Sequence, residues 1–465
     1  MSAFLEALHE RVLVCDGAMG TSIQFRAPAL DDFEGHEGLN EWLNLTRPDL
    51  IADIHADFLA AGCDVIETNS FGGFPVVLDE FGQGGEALRL AEAAAAIARR
   101  VADDHAADGR PRFVAGSMGP GTKLPSLGHI SFADLAAAYE PLAEGLVAGG
   151  CDLLLIETCQ DLLQLRAALA GTRRVFARLG RRVPVGLQIT VETNGAMLLG
   201  TEPSAALAAV LPLRPDFVGL NCATGPDMMR DHLRTLCRRS PVPVSVMPNA
   251  GLPRNVDGEM VYELTPEDFA AAMVDFVETF GVDMVGGCCG TEPRHLRELV
   301  ARIGERPAPV REVEPVDALS SLYQAVALDQ QPRPLIVGER TNANGSKKFR
   351  ELQAADDLEG LVGMALDQQL EGAHALDVCV AFVGRDEAAD MAALTARLNT
   401  EVQLPLMIDS TEPAAVATAP ERPAGPSLRN SGNPQDRPDK APRRPEPCPH
   451  HRAAAGAPPA AAAAP

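Results

Sequence analysis

The sequence is short of positive charge: 40 lysines and arginines stand against 64 aspartates and glutamates, leaving a formal net charge of -24. Phosphate backbones are gripped by clustered cations, so nucleic acid is not an expected partner. Long apolar runs are missing as well. None approaches the roughly 18 consecutive residues of a membrane span, so no membrane partner is expected. The stretch Met1-Ser2-Ala3-Phe4-Leu5-Glu6 lacks the basic segment and apolar core of a secretory leader. With ten cysteines scattered along such a chain, free thiols and a reducing, cytoplasmic setting are predicted.

What is present is most informative at Gly286-Gly287-Cys288-Cys289-Gly290-Thr291 and at Cys222 in Gly219-Leu220-Asn221-Cys222-Ala223-Thr224. Three cysteines at two ends of apolar, strand-like runs can give three thiolates to one zinc, leaving the fourth tetrahedral position for a substrate sulfur. Adjacent residues of a regular strand face opposite ways, so Cys288 and Cys289 can share a metal only if the chain turns there. Gly286, Gly287 and Gly290 permit that turn. The competing reading is that these are small buried apolar residues.

A chain of 465 residues exceeds one ordinary domain, and two cores are expected. From residue 11 to about 290, eight short apolar runs alternate with Ala/Leu-rich segments of helical period. The runs begin at Arg11, Asp64, Phe113, Asp152, Val185, Phe217, Val244 and Met284. This predicts an α/β fold with an N-terminal (β/α)8 TIM barrel, its strands covered on both faces and helices such as Glu86 to Val101 and Asp134 to Ala148 outside. Asp16, Glu67, Asn69, Glu157, Thr190, Asn221, Asn249 and the Cys pair fall at strand C-termini, the rim on which such barrels build active sites. Individually each also fits a turn or helix cap.

Prolines at 307, 309, 315, 332 and 334 surround a stretch near Asp317 to Leu328 that is expected to be helical, and mark 305–334 as a linker. Three further strand runs follow, starting at Pro334, Ala375 and Leu404, and the alternation stops after Pro413. The Pro/Ala/Arg-rich tail, 414–465, is expected to be disordered and reads as an out-of-frame or truncated end. The expected division is thus 1–304, 305–334, 335–413 and 414–465.

Several stretches carry a more specific message: Asp16-Gly17-Ala18-Met19-Gly20-Thr21, Glu67-Thr68-Asn69-Ser70-Phe71-Gly72, Gly119 to Gly128, Cys222, Gly286 to Thr291, and Gly338-Glu339-Arg340-Thr341-Asn342-Ala343-Asn344-Gly345. Together they resemble the cobalamin-dependent methionine synthase family, in its homocysteine-binding module and the first part of its pterin-binding barrel. The resemblance implies that Cys222, Cys288 and Cys289 are zinc ligands and carry the catalysis, with Asn249 able to take the metal's remaining position before substrate arrives. It implies that Asp16 and Glu157 hold the substrate ammonium and that the backbone amides of Ala18 and Met19 meet its carboxylate. Asn342, Asp377 and Asp409 would face the pterin of 5-methyltetrahydrofolate, the methyl donor. The implied reaction is attack of homocysteine thiolate on the methyl group of methylcobalamin, with the corrinoid module absent from this chain and supplied in trans. Asp53-Ile54-His55 is no corrinoid signature, since Phe58 stands where a glycine is needed. Two alternatives remain open: a direct-donor homocysteine methyltransferase using S-methylmethionine or betaine, and an inactive zinc-binding fragment.

Overall fold

A computed structural model describes residues 2–106, 109–256, 259–412, 414, 415 and 428–430. Strands β1 (Leu13–Val14), β2 (Val65–Glu67), β3 (Phe113–Met118), β4 (Leu153–Cys159), β5 (Val185–Ile189), β6 (Phe217–Asn221) and β7 (Val244–Met247) come first. A small hairpin, β8 (Arg254–Val256) and β9 (Glu259–Val261), precedes β10 (Met284–Val285). Without the hairpin, the eight strands form one parallel sheet ordered β1-β10-β7-β6-β5-β4-β3-β2. A bridge between Cys15 and Val65 joins its two ends and closes the barrel.

The continuous apolar runs are explained by two cores. Phe113, Ala115, Leu153 and Leu155 point into the barrel with Leu13, Phe217, Met247 and Met284, while Val114, Leu154 and Ile156 face the surrounding helices. Alternation along a strand, period two, sends neighbours to opposite sides. The helix Ala3–Glu10 closes the floor: Phe4 meets Phe113 edge-on at 5.6 Å and Phe217 at 5.9 Å. Eight helices follow the strands in turn, Pro48–Ala60, Ala87–His105, Phe132–Ala148, Leu162–Leu179, Pro203–Val210, Pro226–Arg239, Pro266–Phe280 and Pro293–Ile303. Five start with proline, whose fixed φ suits the first helical position and whose missing N–H is lost there without cost. Every strand therefore delivers its C-terminal residue to the same rim.

The expected linker helix is overturned. Residues 318–327 form an antiparallel hairpin, β11 (Ala318–Ser320) and β12 (Ala325–Ala327), with Ser321 N donating to Gln324 O across the turn. Leu319, Leu322 and Val326 are buried, and Glu202 N donates to Tyr323 O at 2.8 Å, so docking beside Pro203–Val210 outweighs local helical preference. Tyr323 Oη donates to Thr400 O and Gln324 Nε2 to Gln403 O, tying the hairpin to the second unit also.

That unit has its own core around Phe349, Leu376, Leu394 and Ile408. Strands β13 (Val337–Gly338), β14 (Ala375–Val378), β15 (Leu406–Asp409) and β16 (Leu428–Asn430) are parallel and paired in that order. The fourth strand corrects the expectation that strand structure ends at 413: β16 pairs Ile408 with Arg429 on the free edge of β15. Its three residues, Leu428-Arg429-Asn430, are too few to show an apolar alternation. The rest of the tail expected to be disordered lies outside the described residues. Among the described residues, no helix is long and apolar enough to cross a membrane.

Candidate metal and substrate site at the barrel rim

Strand β6 ends at Asn221, and the next two residues take φ of 60° and 59° at Cys222 and Ala223. Left-handed backbone costs a non-glycine residue about 1–2 kcal/mol, so two in succession are held by their surroundings. Cys222 N donates to Met247 O at 3.0 Å and Thr224 N to Cys222 O at 2.7 Å, which turns the thiol inward. The second arm follows β10. Gly287 allows Thr291 to close in, since a Cβ there would lie 2.2 Å from Thr291 Cγ2. Gly290, at φ +76°, leaves room for the ring of Tyr262.

The turn brings the three sulfurs together, with Cys222, Cys288 and Cys289 within 4.8 Å of one another. The Cys222 and Cys289 sulfurs are 3.9 Å apart. Zinc–sulfur bonds of about 2.3 Å in tetrahedral geometry put neighbouring sulfurs about 3.8 Å apart, so the triad has zinc-sized spacing. The thiols share charge unequally: Cys289 is drawn down to about 3 by hydrogen bonds from Cys222 and Cys288, and Cys288 is pushed far up. Tyr262 also donates to Cys289, a contact the sequence gives no sign of because the tyrosine arrives from beyond the β8–β9 hairpin. Asn249 is buried with its Oδ1 unpartnered, beside Ala250, whose N–H donates to Cys289 O at 2.9 Å. A buried acceptor left without a donor beside three thiols suits a cation.

Next to the thiols lie three carboxyls, Asp16 and Glu157 buried and Glu67 half-buried. Asp16 Oδ2 accepts from Glu67 N at 2.9 Å, and the Cys15 thiol approaches Asp16 at 3.6 Å and Glu67 at 3.8 Å. Burial raises Asp16 and Glu67 well above the carboxylate range, and Glu157 is pushed up to about 7, chiefly by burial. Among the described residues no lysine or arginine pairs with these three. A positive charge placed beside these carboxyls would favour their ionised forms.

Glu157 is held from two sides by residues that the sequence reading did not assign to this task. Ser117 Oγ donates to its Oε1 at 2.6 Å, and Asn221 Nδ2 donates to its Oε2 at 3.0 Å. Asn221 also accepts from Thr158 N at 2.9 Å, supporting Thr158 at φ 55°, while Thr190 Oγ1 donates to Asn221 O. One side chain therefore links the carboxyl to the residue preceding Cys222. Asn221→Ala is expected to weaken substrate binding and zinc retention together, by about tenfold or more, since a buried hydrogen bond to a charged group contributes about 1.5–3 kcal/mol. Paired measurements of KM and of zinc content against chelator check this; an altered KM with unchanged zinc retention would confine Asn221 to the carboxyl.

The two amides expected to meet a carboxylate divide. Ala18 N–H is committed to Thr291 O at 3.1 Å, which corrects the expectation for that residue: the close approach of the Gly17 segment to Thr291 uses the amide up. Met19 is the first residue of the helix Met19–Arg26, where an N–H has no intrahelical acceptor. In the second unit Asn342, Asp377 and Asp409 converge, with Asn342 Nδ2 donating to Asp377 Oδ2 at 2.7 Å and Asp409 Oδ2 at 3.0 Å. His55 is fully buried within the helix Pro48–Ala60.

Comparison with known proteins agrees with this architecture. The homocysteine S-methyltransferase family model matches residues 13–303, and that of pterin binding enzymes matches residues 338–453. Methionine synthase of Mycobacterium tuberculosis (strain ATCC 25618 / H37Rv) is 50% identical over 432 residues, covering 93% of this chain and 36% of that protein. The Mycobacterium leprae (strain TN) methionine synthase is 48% identical over 437 residues, with the same coverage. The chain thus spans about a third of the length of these curated relatives. The metallated form of an Escherichia coli homocysteine methyltransferase has the same fold, with a TM-score of 0.52 and 23% identity over 63% of this chain and 96% of that one. The family match runs from the first barrel strand to the last barrel helix and takes in both cysteine-bearing turns; the chain belongs to the homocysteine S-methyltransferase family.

Proposed function

We propose that this chain transfers a methyl group to the sulfur of homocysteine, giving methionine, and that Cys222, Cys288 and Cys289 hold the zinc ion that activates that sulfur. The observation that carries the reading is three converging thiols beside two buried carboxyls, Asp16 and Glu157, and the half-buried Glu67, none of which pairs with a lysine or arginine among the described residues. When bound, the ion supplies a Lewis acid that keeps a thiol ionised at neutral pH. Asp16, Glu67 and Glu157 give the substrate ammonium its countercharge, and the ammonium in turn favours their ionised forms. Met19 N–H, at the positive end of its helix, offers a donor to the carboxylate. Asn249 Oδ1 caps the thiol cluster until substrate enters.

The methyl donor in this proposal is methylcobalamin, recharged from 5-methyltetrahydrofolate. The Asn342–Asp377–Asp409 cluster and the pterin-binding match support this over a direct donor such as S-methylmethionine or betaine. The proposed division at 1–304, 305–334 and 335–413 rests on the two separate cores and the hairpin between them. Methyl transfer from added methylcobalamin to homocysteine, followed spectroscopically with and without a zinc chelator, tests the function. Chelator-sensitive transfer is expected. Bound zinc without transfer would direct attention to another donor, and absence of bound zinc would favour an inert fragment.

A further inference from the structure

Strand β2 ends at Glu67, opposite Ala115, while its neighbour β3 runs on to Met118. In a parallel ladder the next two bonds would be Ser117 N to Thr68 O and Ser70 N to Ser117 O. They would continue the spacing set by Phe113 N to Asp64 O at 2.8 Å and Thr68 N to Ala115 O at 3.0 Å. Ser70 N donates instead to Thr68 O at 2.9 Å, a three-residue turn that takes both groups out of the sheet. The side chains of the same two residues fill the gap. Ser117 N donates to Thr68 Oγ1 at 3.0 Å, and Ser70 Oγ donates to Ser117 O at 2.8 Å.

The direction of each bond follows from counting protons. Ser70 gives its one hydroxyl proton to Ser117 O, so the 2.6 Å contact between Thr68 Oγ1 and Ser70 Oγ is donated by Thr68. Thr68, Ser70 and Ser117 are all buried. Of their three hydroxyls, the one that this clamp does not use belongs to Ser117, and it donates to Glu157 Oε1 at 2.6 Å. Between the two clamping residues, Asn69 fastens the turn to the segment before the helix Pro48–Ala60. Its Nδ2 donates to Asn40 O at 2.8 Å and to Asn44 Oδ1 at 3.1 Å, and Asn44 Nδ2 donates back to Asn69 O at 2.8 Å.

We propose that Thr68 and Ser70 are positioning residues for homocysteine, acting through Ser117. They grip both backbone groups of Ser117, so that its hydroxyl stays on Glu157 and holds that carboxyl toward the substrate ammonium. A hydrogen bond donated to a carboxylate also favours the charged form that an ammonium needs. This role rests on the reading of Glu157 as the ammonium's partner.

Isothermal titration of the zinc-loaded full chain with homocysteine, read beside zinc content, tests the role. Saturable binding to the unmodified chain is expected. Ser117→Ala removes the hydroxyl on Glu157, while Thr68→Val and Ser70→Ala break the clamp. Each is expected to weaken binding about tenfold, the scale of one hydrogen bond to a charged group, with zinc retained. Thr68→Ser keeps the hydroxyl and is expected to bind as the unmodified chain does. Thr68→Val added to Ser117→Ala should cost little more, because the hydroxyl through which Thr68 acts is already gone; a merely loosened fold would weaken binding by the same factor in both backgrounds. Thermal melting checks that the variants fold, and Ser70→Ala carries the same comparison should Thr68→Val fail to. An unmodified chain that does not bind homocysteine would overturn the functional reading and the positioning role together. Binding by the unmodified chain that is unchanged in Thr68→Val and Ser70→Ala, that falls equally with and without the Ser117 hydroxyl, or that is lost along with zinc, would overturn the positioning role alone.

Discussion

Replacing Cys289 by alanine is expected to strip zinc from the protein and lower methyl transfer to homocysteine by roughly three thousandfold. Two effects multiply. A thiol of ordinary pKa, about 8.5, is a few per cent ionised at pH 7, so losing the metal costs about thirtyfold in thiolate. Losing the fixed position of that sulfur costs about a further hundredfold, the scale of a misplacement near 1 Å. The cysteine's place in the fold makes its loss specific: Cys289 lies within 4.8 Å of both partner thiols, on a turn whose backbone is separately held by Ala250 N and Thr291 N. The barrel should therefore survive. Zinc content by mass spectrometry, read beside single-turnover methyl transfer, measures both effects, and a variant with stoichiometric zinc and near-normal turnover would refute the assignment. Cys237→Ala, in the helix Pro226–Arg239, serves as the control expected to keep its metal.

Glu157→Gln is expected to have opposite effects on stability and on binding. The folded carboxyl titrates at about 7 instead of its ordinary 4.5, because burial disfavours its charge. A raised folded pKa means that this group's contribution is fully present below about pH 4.5 and is lost as pH rises through 7. At pH 7 the resulting penalty in the substrate-free protein is on the order of 3 kcal/mol, part of which a neutral glutamine recovers. The expected result is a higher unfolding midpoint for the variant at pH 7 or above and little difference near pH 4.5. Homocysteine binding should move the other way, weakening by at least about tenfold when a buried countercharge to the ammonium is removed, with zinc retained. Melting curves at the two pH values and a KM for homocysteine check both arms. A variant that is destabilised at neutral pH, or that loses zinc, would make Glu157 a structural residue instead.

The chain's apolar periodicity was enough to locate the barrel. Eight runs, each too apolar for a half-exposed strand, correspond to β1 to β7 and β10, because a strand buried on both sides must be apolar at every position. The cysteines, glycines and rim carboxyls were legible for a similar reason: their chemistry is carried by residue type and by position at a strand end. Local preference failed where packing decided. Residues 317–328 read as helix, yet burial of Leu319, Leu322 and Val326 against the first barrel makes them a hairpin, and β16 pairs along β15 where the sequence shows no apolar alternation.

What the sequence by itself determined is therefore the barrel, its rim and the identity of three thiols, since each follows from periodicity or from side-chain chemistry. Only the tertiary structure decided which groups act together. Ser117 and Asn221 reach Glu157 across 40 and 64 residues, Thr291 takes the Ala18 amide, and Tyr262 finds Cys289. Closure of the sheet sets these distances, and no local pattern along the chain encodes them.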